Sequence, residues 1–269
     1  MGSFPAIHYG SFGDEKVTST AKINGLPLGM AMKLPDGREF VHARTGGTAL
    51  VAGQLYQAET GNIHLADTMY AKSLVSASAY AVSATTVAFT TGGTTAVGTD
   101  RFQDGWLVTA NSAGGAQGYL YKIKSNNSAA SGSATCTLTL YETDGLKVAI
   151  LSGTTRFGVL ENKYRAMELT TADTVGHPGL GVACNSAAAS AYVWLQTKGE
   201  ASVKIGGTTL TERYPVVAST GVAGVIATVT AVLSGTAVTA DRKGTFQNIG
   251  VNISGPAANG FAVVDLKLG

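Results

Sequence analysis

The chain has 269 residues, of which 45% are hydrophobic and 13% charged, with a net charge of +2. A charge this small excludes a protein that holds nucleic acid or an anionic membrane by bulk electrostatics, and the hydrophobic share excludes a disordered chain. Glycine is abundant, with 35 residues against an ordinary share of roughly 7%, and Thr, Ser and Ala accompany it. Small, β-branched and turn-forming residues in place of charges predict an all-β protein, a β-sandwich or barrel of many short strands with little helix.

Residues 1–29 open the chain without a regular element, because Gly2, Pro5, Gly10, Gly13, Gly25, Pro27 and Gly29 interrupt any periodicity. No basic segment followed by an apolar one marks a signal peptide. The stretch still carries apolar Phe4, Ile7, Tyr9, Phe12 and Leu26, more than a free tail usually holds. These features predict an extended N-terminal arm that orders on a neighbouring subunit, with those five residues as its partner contacts. Pro35-Asp36-Gly37 then places a tight turn between two apolar flanks, so residues 32–41 read as a hairpin.

A short helix is expected over 68–74, with Asp67 as its N-cap. The uncharged runs 73–99 and 214–240 are broken by Gly, Thr and Ser and offer no membrane span. Strands are expected at 106–109, at 118–124, with Tyr119, Tyr121 and Ile123 alternating against Leu120, Lys122 and Lys124, and at 134–140, where Cys136, Leu138 and Leu140 share the inward face. Further strands are expected at 192–197, at Val203 and Ile205 before the Gly206-Gly207 turn, and at 261–268. The layout predicted is an arm over 1–29, a main β-barrel or sandwich formed by 30–66 plus 176–269, and an inserted β subdomain over 67–175.

The residues that usually carry chemistry are few and scattered. His8, His42, His64 and His177 form no pair at metal-ligand spacing and read as surface or turn histidines. Cys136 and Cys184 read as structural free thiols, as in a protein assembled in a reducing cytoplasm. Glycine-rich 93–98 is followed by Thr99-Asp100, where a phosphate loop needs Lys and Ser/Thr, and no nucleophile elbow is present. Glu142, Asp144, Glu161, Glu168 and Asp173 read as solvated loop acids. Lys122 and Lys124 beside Tyr119 and Tyr121 form too small a basic strip for nucleic acid. The expectation is a non-enzymatic protein with no catalytic residue, cofactor or metal.

Leu34-Pro35-Asp36-Gly37-Arg38-Glu39-Phe40, then Gly46-Gly47-Thr48-Ala49-Leu50-Val51-Ala52-Gly53-Gln54-Leu55, resembles the small virion proteins of tailed bacteriophages that act as head decoration or cement proteins. Asp104-Gly105-Trp106-Leu107-Val108, Leu138-Thr139-Leu140-Tyr141 and 192–199 follow in a compatible order. The resemblance implies a β-rich protomer, often a homotrimer, on the capsid exterior, whose partner is the major capsid protein and which bridges capsomers. It implies neither nucleic acid nor membrane as a partner. The alternative reading is a tail-fibre, baseplate or receptor-binding component, although the repetitive shaft of a tail fibre is missing from this sequence.

Overall fold

The computed structural model describes residues 7–59, 74–76, 78–91, 96–111, 118–132, 134–141, 143, 145–170, 179–207, 209–219, 221–228, 247–254 and 259–268. The chain is nearly all β, and helical residues among those described occur only in short 3₁₀ turns such as Asp14–Lys16 and Ile23–Gly25. The strands are β1 (Ile7–Tyr9), β2 (Ala31–Lys33), β3 (Glu39–Arg44), β4 (Leu55–Ala58), β5 (Leu74–Val75), β6 (Thr86–Thr90), β7 (Trp106–Asn111), β8 (Leu120–Asn126) and β9 (Thr135–Leu140). They continue as β10 (Arg156–Leu160), β11 (Met167–Leu169), β12 (Gly179–Ala183), β13 (Tyr192–Lys204), β14 (Pro215–Ala218), β15 (Ile226–Thr228), β16 (Gly250–Asn252) and β17 (Phe261–Lys267). They divide between two compact units, Met1–Glu59 with Tyr164–Gly269, and Thr60–Lys163.

The first unit is organised by β13, whose 13 residues serve two rings of strands. Its first half pairs with β3 and β12, β12 pairs with β4, and β4 pairs with β11. A parallel bridge from Thr45, just past β3, to Met167 of β11 closes that ring. The second half of β13 pairs with β17, and the order continues through β16, β14 and β15. A parallel bridge between Ile205 and Ile226 brings β15 back to the end of β13. Each ring encloses its own apolar cluster, Val41, Ala43, Tyr56, Met167, Val193 and Leu195 in one, and Val203, Ile205, Val216, Ile226, Val264 and Leu266 in the other. Each large apolar side chain buried in this way contributes roughly 1.5–3 kcal/mol.

The two halves of β13 were expected as separate strands. Gly199, with φ +81°, lets the strand run on through a local irregularity: the register to β3 shifts between Gln196 and Lys198, and pairing to β17 begins at Lys198. Ahead of it, β2 and β3 form the expected hairpin, turned at Gly37 with φ +87°. Leu34 and Arg38 close that turn through the Leu34 N–H and the Arg38 carbonyl, 3.0 Å.

The second unit is a single antiparallel barrel in the order β5-β10-β7-β8-β9-β6. Ser76, next after β5, bridges Phe89 of β6 and closes it. Phe89, Phe102, Leu107, Tyr121, Ile123, Leu138, Leu140 and Val159 fill the interior. Cys136 lies among them as its alternation predicted, while Thr135, Thr137 and Thr139 take the outer face.

Three expectations need correction. The first unit resumes at Tyr164, not at 176, because Met167–Leu169 is β11 and pairs with β4. Residues 7–29 do not stand away from the body: β1 runs parallel to β2, and Ile23 and Leu26 are buried with Met32, Leu34, Phe40 and Trp194. The helix expected over 68–74 lies outside the described residues except for Leu74, which begins β5.

Candidate interaction surfaces

The N-terminal segment is tied to the first unit by several independent contacts. The Gly10 N–H donates to the Lys33 carbonyl at 3.0 Å, and the His8 ring stacks on Trp194 with an interplanar angle of 7°. Ser19 and Tyr192 exchange backbone hydrogen bonds at 3.1 and 2.7 Å. Asn185 Nδ2 donates to the Lys16 carbonyl at 2.9 Å. Glu15 is buried, its carboxylate accepting the Gly13 N–H at 2.6 Å and facing the Arg38 guanidinium at 3.8 Å.

Of the residues expected to contact a partner, Tyr9 is 76%, Phe12 66% and Ile7 39% exposed. They are held in place by neighbours yet face solvent. Leu26 is 8% exposed and serves this chain's own core, since the Ile23–Gly25 turn folds it beneath Phe40 and Trp194. Phe4 lies outside the described residues.

A second apolar surface was not foreseen. On the outer face of the ring formed by the second half of β13, Phe261 and Val263 of β17 are exposed, Ile253 lies across from Val263, and Val251 and Pro215 continue the row. The register puts Lys204, Ser202 and Glu200 beside Phe261, Val263 and Asp265 on the same face. The alternation of 261–268 did reveal the inner set, but Phe261 and Val263 fell on the side that is polar in an ordinary surface strand, and that was the available signal. Next to the strip lies an open hollow of about 1020 Å³ lined by Asp36, Arg38, Lys198, Glu200, Asp265 and Lys267, with both signs of charge interleaved.

The groups that carry chemistry elsewhere are placed structurally here. Cys136 and Cys184 are free. Burial pushes both thiols up to about 11, which keeps them protonated and weakly nucleophilic near neutrality. His42 is a core residue, not a surface one, because it sits mid-strand in β3, packed against Tyr192 and Trp194 with Nδ1 3.2 Å from the Pro27 carbonyl oxygen. His8 is half-buried, and His64 and His177 lie outside the described residues.

Glu161 is likewise buried rather than solvated, paired with Arg101 in the second unit. Glu168 accepts a hydrogen bond from Gln57 at 3.1 Å in the first unit. Glu142, Asp144 and Asp173 fall outside the described residues. Among the described residues no cluster of three or more His, Cys, Asp and Glu is arranged to hold a metal ion.

Near the Arg101–Glu161 pair, the buried Asp104 carbonyl accepts hydrogen bonds from Lys122 Nζ at 2.6 Å and Asn162 Nδ2 at 2.8 Å. The Tyr141 hydroxyl donates to the Asp104 carboxylate at 3.0 Å. Burial, reinforced by that carboxylate, raises the Tyr141 pKa well above its ordinary value, so the phenol stays a donor. The arrangement satisfies a buried loop at φ +59° for Asp104. Lys122 also lies 4.1 Å from the Trp106 ring centroid, and Tyr121 is core, so the basic–aromatic strip is divided between the barrel's inside and outside.

No protein-family model, curated protein or solved structure matches this chain. Among the described residues, no helix is long and apolar enough to cross a membrane.

Proposed function

We propose that this chain is a non-enzymatic virion structural protein, a head decoration or cement protein of a tailed bacteriophage that binds the capsid exterior and stabilises contacts between capsomers. The observation that carries the reading is the exposed row Ile253, Val263 and Phe261 on a barrel face, continued by half-buried Val251, with a mixed-charge hollow beside it. An apolar centre ringed by polar groups of both signs is what a protein partner covers, and it selects against a polyanion. The ordered run of motifs from Leu34 onward supplies the phage resemblance. The partner on this reading is the major capsid protein.

Cryo-EM or immunogold labelling of the parent virion tests it, together with binding of the purified chain to heads that lack it. Head density and saturable binding are expected, and Phe261→Asp with Val263→Asp is expected to lower head occupancy at least tenfold while circular dichroism is unchanged. Density confined to the tail overturns the reading in favour of a tail component, and unchanged occupancy by the double variant removes this face from it.

A further inference from the structure

Every described strand except one has a neighbour on both sides. The two rings of the first unit and the barrel of the second close on themselves through the Thr45–Met167, Ile205–Ile226 and Ser76–Phe89 bridges. The exception is β1, which ends the first unit's sheet and pairs only with β2. Closure removes sheet edges, and an edge left open is a template for another strand.

The direction of the free groups follows from the pairing. In a parallel ladder alternate residues of a strand point their N–H and C=O to the same neighbour. Gly10 donates to Lys33, so His8 and Gly10 face β2, while Ile7 and Tyr9 turn their backbone N–H and C=O to the open side. The side chains of Ile7 and Tyr9 share one exposed face, and His8 takes the other, against Trp194.

We propose that this edge pairs antiparallel with the same edge of a second copy of the chain, about a twofold axis at His8. That register sets Ile7 of each copy opposite Tyr9 of the other, and the outward backbone groups of both residues meet in reciprocal hydrogen-bonded pairs. It also covers an exposed aliphatic residue with an exposed aromatic one, a favourable cross-strand pair. The edge Ile7-His8-Tyr9 contains no Lys, Arg, Asp, Glu or Pro, the usual devices that blunt an open edge.

A foreign strand would satisfy the backbone groups equally, but the match of Ile7 to Tyr9 under twofold symmetry arises from this chain alone. Because each copy has one open edge among its described strands, the pairing ends at a dimer and does not extend to a trimer. The interface is small, so it is weak in dilute solution and gains where copies are held side by side on a surface. The inference stands apart from the capsid reading, since the purified chain alone tests it.

Sedimentation equilibrium over a concentration series, combined with a symmetric cross-link, decides the matter. The wild-type chain is expected to show a concentration-dependent monomer–dimer equilibrium. Tyr9→Pro removes an outward N–H that β2 does not use and is expected to abolish the dimer while the thermal transition is retained. At the axis the two His8 Cα atoms lie at the spacing of a non-hydrogen-bonded pair, about 4.5 Å, within disulfide reach. His8→Cys is therefore expected to give an oxidised dimer on a non-reducing gel that the wild type does not give. A wild-type chain that stays monomeric at high concentration with no His8→Cys cross-link overturns the proposal. A trimer, or a dimer insensitive to Tyr9→Pro and without the cross-link, overturns it equally.

Discussion

In Thr60–Lys163 six strands taken from one continuous stretch close a single antiparallel barrel, whereas the other unit builds one ring from β3 and β4 before that stretch with β11, β12 and β13 after it, and a second ring from β13 to β17 alone. Two of the barrel's five ladders join consecutive strands, β7 with β8 and β8 with β9, while β5 with β10, β10 with β7 and β6 with β9 reach across the stretch. The other unit depends on β13 meeting β3 from more than a hundred residues away. Each unit holds a buried carboxylate facing an arginine, Glu161 with Arg101 in the barrel and Glu15 with Arg38 in the other unit, while Lys198–Glu39 and Lys267–Asp265 lie at the surface. Closure is thus reached either around one apolar core within a single continuous stretch or by one long strand shared between two apolar cores.

The strongest way to break the contrast is Gly105→Ala. A Cβ at Gly105 would overlap the Leu160 backbone carbonyl oxygen and crowd that of Phe102, both of them backbone atoms rather than flexible side-chain ends. The expected cost is about 4–5 kcal/mol or more, at the exceptional end for one substitution. In calorimetry the barrel's transition should vanish while that of the other unit persists. Loss of both transitions together would show that the units do not unfold independently.

A smaller effect is expected from Leu266→Ala, which opens a cavity between β13, β16 and β17. The cost expected is about 2–5 kcal/mol in denaturant titration. It should fall on the unit built around β13 and leave the barrel's midpoint in place.

The mildest lever is alkaline pH, because each unit contains one thiol shielded from water, Cys136 buried and Cys184 half-buried. Burial holds Cys136 and Cys184 near 11 against an ordinary value of 9.0, so the unfolded chain ionises first. Stability is therefore level below about pH 9 and declines between 9 and 11, as the unfolded state sheds protons the folded state retains. Tyr56 and Tyr141, also raised by burial, act in the same direction at higher pH. Cys136→Val should flatten the decline for the barrel alone, and equal slopes before and after that change would refute the assignment.

These elements differ in how legible they were. The hairpin at Pro35-Asp36-Gly37, the Cys136 strand and the alternation of 261–268 were readable because turn chemistry and a period of two are local properties. The continuity of β13 was hidden, since Gly199 looks like a break until Leu266 and Arg38 are seen packed around it. His42 and Glu161 were misjudged because a buried polar side chain is recognised by its partners, Pro27 and Arg101, and those lie far away in the sequence.

Composition and alternation were sufficient, by themselves, to specify an all-β chain, the strands β2, β3, β7, β8, β9, β17 and both halves of β13, and the inward face of β9, because the free energy of burying apolar side chains acts residue by residue along a strand. Ring closure, the open edge at β1 among the described strands and the sorting of Ile7, Tyr9 and Phe12 from Leu26 came only with the tertiary structure. The physical reason is that each depends on pairings between distant segments. An apolar residue in a glycine-punctuated segment is core or contact surface according to what packs beneath it. For Leu26 that is Phe40 and Trp194, while Tyr9 and Phe12 remain facing solvent.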